Sequence, residues 1–161
     1  MAAGNSYGFV EWLDRVFDNQ TADFGTTPNT IKCALIKSAA NGGWDPSVTD
    51  PYPTWGAGGT TDLSLYEVSA TGSYTSGGVV CTSPVSTVVS NALRLDWDNP
   101  PSWAQDPSNP TNARWAIFYD DTSTNKDCIL WFDLGGDMDM TLGELSITMG
   151  APAYTFTVTT P

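Results

Sequence analysis

Histidine is absent from the chain, basic residues are few, and no apolar run approaches the roughly 18 residues a membrane-spanning helix needs. The first absence removes the commonest general base and the usual partner of a serine or cysteine nucleophile. The second is a matter of balance: six bases stand against eighteen acids, for a formal net charge of -12. Five of the six, Lys32, Lys37, Arg94, Arg114 and Lys126, are scattered singly along the chain, and no basic run occurs anywhere. A duplex-binding protein needs clustered Lys and Arg to displace counterions from phosphates, and docking on anionic lipid makes the same demand. Neither nucleic acid nor a membrane surface is therefore expected as a partner. The acidity favours solubility and suits attachment to a partner with basic patches.

Cysteine is also scarce. Cys33, Cys81 and Cys128 are an odd number without C-x-x-C spacing, and each sits in an apolar stretch. They read as buried free thiols acting as small hydrophobes, not as a disulfide framework or a zinc site. The start Met1-Ala2-Ala3-Gly4 has neither the basic nor the apolar region of a secretion signal, so folding in a reducing cytoplasm is expected. No cofactor and no metal are expected.

What the sequence does have is a large apolar fraction, 40%, in 161 residues, enough for one globular domain spanning 1–161. One segment carries helical periodicity. Phe9, Trp12, Leu13, Val16 and Phe17 fall on one stripe, with Ser6 as a candidate N-cap and Asn19 as a stop, which predicts a helix near 7–18. Beyond it the pattern is that of strands: 30–37, 63–68, 79–82, 85–89, 92–98, 114–119, 128–134, 145–149 and 154–159. Strands dominate and helices are not interleaved, so the expected class is all-β, a β-sandwich or jelly roll with one short N-terminal helix.

Residues 38–62 interrupt this order with Asn41-Gly42-Gly43, Asp45-Pro46, Asp50-Pro51, Pro53 and Gly56-Ala57-Gly58-Gly59. The stretch reads as a long turn-rich loop without regular structure. Loops of this length in compact domains tend to be functional or mobile, and this one holds Trp44, Tyr52 and Trp55. Those rings either pin the loop to its own domain or form a contact surface for a partner, and they are the candidate partner-binding residues.

Catalytic motifs are missing. There is no G-x-S-x-G elbow, phosphate-binding glycine loop or dinucleotide fingerprint. Asp96/Asp98 and Asp120/Asp121 are carboxylate pairs of the kind that could hydrolyse glycosides, but acids on a wet strand face or at a strand end are ordinarily solvated. Asp137, Asp139, Thr141 and Glu144 resemble the start of a calcium loop, yet the glycine and the terminal glutamate are misplaced. The expected reading of that segment is a polar turn between the strand ending at Leu134 and the next. No catalytic residue is assigned, and the chain is not expected to be an enzyme.

The order of several strand motifs resembles a group of small tailed-bacteriophage proteins. Thr30-Ile31-Lys32-Cys33-Ala34-Leu35 is similar to that group's T-I-K-V-A-L strand. Tyr66-Glu67-Val68 with the Thr71–Gly78 segment follows, and then Ala92-Leu93-Arg94-Leu95-Asp96 leading to Trp103. Ala113-Arg114-Trp115-Ala116-Ile117-Phe118-Tyr119-Asp120-Asp121-Thr122 resembles its A-R-Y-A-V-x-Y-x-D-T strand, and Trp131-Phe132-Asp133-Leu134-Gly135 its I-D-F-G element. Cys33, the Trp-rich loop and Pro84 depart from the pattern. The resemblance implies a structural virion protein assembled in a host bacterial cytoplasm. The role it implies is that of a capsid decoration or cement protein, a homo-oligomer that binds the major capsid protein. The alternative is a tail-associated or fibre-tip β-sandwich that binds carbohydrate or a receptor, since exposed Trp and Tyr stack well on sugar rings.

Overall fold

The computed structural model describes residues 6–9, 30–46, 52–89, 92–98, 101–148 and 154–157. Among them the chain is mostly β, with no α-helix. The strands are β1 (Ser6–Gly8), β2 (Ile31–Ile36), β3 (Pro53–Thr54), β4 (Thr61–Asp62), β5 (Val79–Val80) and β6 (Val85–Val89). They continue with β7 (Ala92–Asp96), β8 (Ser102–Trp103), β9 (Ala113–Asp120), β10 (Cys128–Met138), β11 (Leu145–Ser146) and β12 (Tyr154–Thr157).

An antiparallel five-stranded sheet, ordered β1-β10-β9-β2-β5, forms the centre. In β9 every residue except Arg114 is buried, and β2 is buried apart from Lys32. Such continuous apolar runs arise where a sheet is covered on both faces, because neither set of alternating side chains meets water. On one face Tyr7, Trp131, Ile117 and Ala34 stand side by side across four strands. Tyr7 stacks on Trp131 at 4.3 Å between ring centroids, and Trp131 meets Trp115 edge-on at 5.3 Å. On the other face Phe118 stacks at 4.7 Å on Trp97, the residue that follows β7. β7 is the middle strand of a second sheet, β12-β7-β6. β8 with β11 and the parallel β3 with β4 form two further short pairs.

The outermost strand β5 is fixed by a close backbone approach. Gly78 has φ +73°, and a Cβ there would lie 1.8 Å from the Cys33 carbonyl oxygen. Only glycine lets the chain turn against β2 at this point and pair Val79 with Cys33. Across the β9–β10 pair, Arg114 forms an ion pair with the buried Asp133, and its guanidinium also lies 3.6 Å from the Trp115 ring centroid.

The expected helix near 7–18 is corrected at its start. Ser6, Tyr7 and Gly8 are extended and pair with Phe132, Trp131 and Leu130, and the Phe9 N–H continues the ladder to the Ile129 carbonyl at 3.0 Å. Ser6 therefore caps no helix. Covering the edge of β10 and stacking Tyr7 on Trp131 outweigh the local helical preference. Trp12, Leu13, Val16, Phe17 and Asn19 lie outside the described residues. Three further corrections concern the later chain. The 38–62 stretch is not devoid of regular structure, since it contains a 3₁₀ turn at Ala39–Asn41 and the β3/β4 pair. Residues Leu63–Tyr66 form a second 3₁₀ turn instead of a strand. β10 runs on to Met138, so 135–138 are strand with an irregular register and the expected polar turn before Leu145 begins only after Met138, where the Leu142 N–H donates to the Asp139 carbonyl.

Candidate functional site

The loop that follows β2 is stitched down by aromatic rings. Trp44 donates its backbone N–H to the Lys37 carbonyl, and its ring lies among Phe9, Trp131 and Trp115 at 5.9, 5.6 and 6.3 Å. The Trp115 indole N–H returns a bond to the Trp44 carbonyl at 3.3 Å. Trp55 stacks almost parallel on Tyr119 at 5.0 Å, and its backbone N–H donates to the Lys126 carbonyl. Tyr52, half-buried, donates its hydroxyl to Asp127 Oδ1 at 3.0 Å. The Thr54 hydroxyl donates to the Gly56 carbonyl and accepts from the Gly59 N–H, which closes the glycine-rich turn.

Trp44 and Trp55 are only 5% and 6% exposed. Of the two readings of these rings, the pinning one describes their geometry. Their indoles pack against the sheet and leave little of their own surface exposed. Beside Trp44 the chain folds back on itself. Gly43, Trp44 and Asp45 on one side and Ala57, Gly59, Thr60, Thr61, Asp62, Leu65 and Tyr66 on the other enclose a cleft of about 640 Å³. The near wall is held tightly because Gly43 is pressed against Lys37, whose carbonyl oxygen would be 2.0 Å from a Cβ at position 43.

The far wall is set by a cap. Asp62 precedes the 3₁₀ turn, and its Oδ1 accepts from the Ser64 N–H at 2.9 Å, the Ser64 hydroxyl at 2.6 Å and the Gly56 N–H at 2.9 Å. This turn places Leu65 outward, 73% exposed, while Leu63 is buried in the core. Leu65, Tyr66 and Asp62 escape sequence reasoning because Leu-Ser-Leu-Tyr also alternates like a strand. The available signal is Asp62 two residues before Ser64, which is cap chemistry.

Of the carboxylates weighed as catalytic pairs, Asp96, Asp120 and Asp121 are engaged in structure, while Asp98 is exposed. Asp96 accepts from the Trp97 N–H, and Asp98 donates its own N–H to the Thr82 carbonyl. Asp120, fully buried, accepts from the N–H groups of Thr122 and Ser123. Asp121 pairs with Lys32 at 2.7 Å and with Lys126 at 2.8 Å. Burial opposes ionisation of Asp121, but hydrogen bonds from Lys126 and Lys32 prevail and hold its carboxyl below the usual range. In the segment resembling a calcium loop, Asp137 accepts from Asn41 and Asp139 from the Thr141 N–H and hydroxyl. Among the described residues no three His, Cys, Asp or Glu side chains are grouped to hold a metal.

A second polar network is built into the core. Glu67 accepts from the hydroxyls of Tyr74 and Ser76 and from the Gly77 N–H, while the Tyr74 oxygen accepts from the Leu35 N–H at 3.0 Å. Burial, then the Glu67 charge, pushes the Tyr74 hydroxyl far above its ordinary pKa. All three cysteines are buried and none forms a disulfide, and burial raises the Cys81 thiol to about 12. No protein-family model, curated protein or solved structure matches this chain.

Proposed function

We propose that the chain is a structural accessory protein of a tailed-phage particle, a capsid decoration or cement protein that binds the major capsid protein. The observation that carries the reading is the 38–66 loop. It is clamped to the sheet by Trp44, Trp55 and Leu63, yet it holds an apolar side chain, Leu65, out in water beside an open cleft. Connection alone needs neither the clamp nor the exposed leucine, whereas a lattice contact benefits from a surface organised before binding. The strand motifs that resemble small virion proteins point to the partner. Many copies on a lattice also make modest individual contacts sufficient, through effective concentration.

The same proposal covers the finer architecture, a β-sandwich or jelly roll, supported by the stacking of Trp97 on Phe118 between the second sheet and the first. It also covers assembly in the host bacterial cytoplasm, residence in the virion as a homo-oligomer, and the absence of an enzymatic role, a cofactor, and a nucleic-acid or membrane partner. The test is to purify particles from producing cells on a gradient and quantify the chain against the major capsid protein. A fixed stoichiometry through repeated gradients is expected. A chain left entirely in the soluble fraction would refute the virion reading, and one found only with isolated tails would replace capsid by tail.

A further inference from the structure

Resting on that reading, the cleft beside Leu65 also indicates what it grips: we propose that it receives a basic segment of the partner, a Lys or Arg side chain flanked by an aliphatic one. Two carboxylates, Asp45 and Asp62, belong to its lining, and no Lys or Arg does. Lys37 lies against Gly43 through its backbone and Cβ. The Asp62 carboxylate is oriented in advance, because three donors hold Oδ1, while Oδ2 makes no hydrogen bond among the described residues. An ammonium or guanidinium entering the cleft would thus meet a carboxylate that loses little freedom on binding.

The remaining lining suits the rest of such a segment. Tyr66 is half-buried and offers an aromatic surface to a cation, and Leu65 offers an apolar contact at the rim. About 640 Å³ is room for several side chains and not for a single ion. An anionic ligand would meet two carboxylates and no Lys or Arg in this lining. The chain as a whole carries -12, so its long-range field favours the approach of a basic partner, and in the cleft aliphatic and acidic groups coincide.

The test uses the full chain and a blocked tripeptide, acetyl-Leu-Arg-Leu-amide, followed by amide NMR. The control peptide carries neutral citrulline in place of arginine, and a third titration uses the neutral sugar maltotriose. The arginine peptide is expected to shift the amides of 43–45 and 57–66, and to weaken in raised salt. Citrulline, or Asp62→Asn in the protein, should weaken it about fivefold, the upper end for a solvent-accessible ion pair. The amide introduced by Asp62→Asn retains an oxygen for the three anchoring donors, so the remaining spectrum should be unchanged. Leu65→Ser, at a largely solvated position, gives a second loss without a folding risk. Equal binding of both peptides, shifts elsewhere, no shift at millimolar peptide, or preference for maltotriose would each overturn the proposal. Those failures leave co-sedimentation with particles untouched, and failure of co-sedimentation leaves the peptide result standing.

Discussion

Trp44 is the residue on which the loop depends. Its ring closes a cluster with Phe9, Trp115 and Trp131, so truncation leaves a cavity between loop and sheet. Trp44→Ala is expected to cost about 3–5 kcal/mol, read as a lower denaturant midpoint. Leu65→Ala, at a side chain already in water, should change it by no more than about 0.5 kcal/mol. Arg114 and Asp133 set a different kind of dependence. Burial raises the Asp133 carboxyl, but the Arg114 hydrogen bond and the Gly135 N–H overcome it and hold the group below its ordinary value. A carboxyl whose folded pKa is depressed contributes its stability fully above its unfolded value, about 3.9. That contribution is lost as pH falls through the lower folded value. Stability of the wild type should therefore fall below about pH 4, with Asp121 acting in the same direction. Arg114→Met should remove about 3 kcal/mol near neutrality, the low end for a buried pair because the guanidinium is partly exposed. It should also flatten the acid limb of a pH–stability curve.

At the level of elements, the join between β2 and β5 is the most exacting. Gly78→Ala places a methyl group into the Cys33 carbonyl at a left-handed backbone position. The expected loss is at least about 1–3 kcal/mol from backbone strain alone, measurable as a lower melting temperature. The strands themselves are largely legible from sequence. β6 occupies the expected 85–89, and β9 and β10 lie over the expected 114–119 and 128–134, because β-branched and aromatic runs bounded by Pro, Gly and Asp admit little else. Ser6–Gly8 is not legible in this way, because a helical stripe in Phe9–Phe17 is a local signal, while pairing with Trp131 is a contact across the whole chain. The loop's three rings stand out in the sequence, but their direction does not. Irregular backbone has no period from which to infer which side faces the core, so sequence alone does not separate Trp44 and Trp55 from Leu65.

For the whole molecule, the cysteines offer a direct measure of closure. Cys33, Cys81 and Cys128 are each no more than 2% exposed, and burial pushes the thiols of Cys33 and Cys81 upward. A thiol reagent at mildly alkaline pH should leave the native chain unmodified and label all three cysteines after denaturation. One label on the unfolded chain would mean a disulfide. The order of pairing in the central sheet also has a consequence for how the chain reaches this state. β9 and β10 are neighbours in sequence and form a hairpin, but β1 and β2 must return to it across most of the chain. Closing such large loops costs chain entropy before any contact repays it, which slows folding. During that interval the uncovered hairpin presents Trp115, Ile117, Trp131 and Phe132 along unpaired edges. Newly made chains are consequently most prone to cross-pair with one another before β1 and β2 arrive, and refolding yield should fall as protein concentration rises even though the finished molecule is strongly anionic.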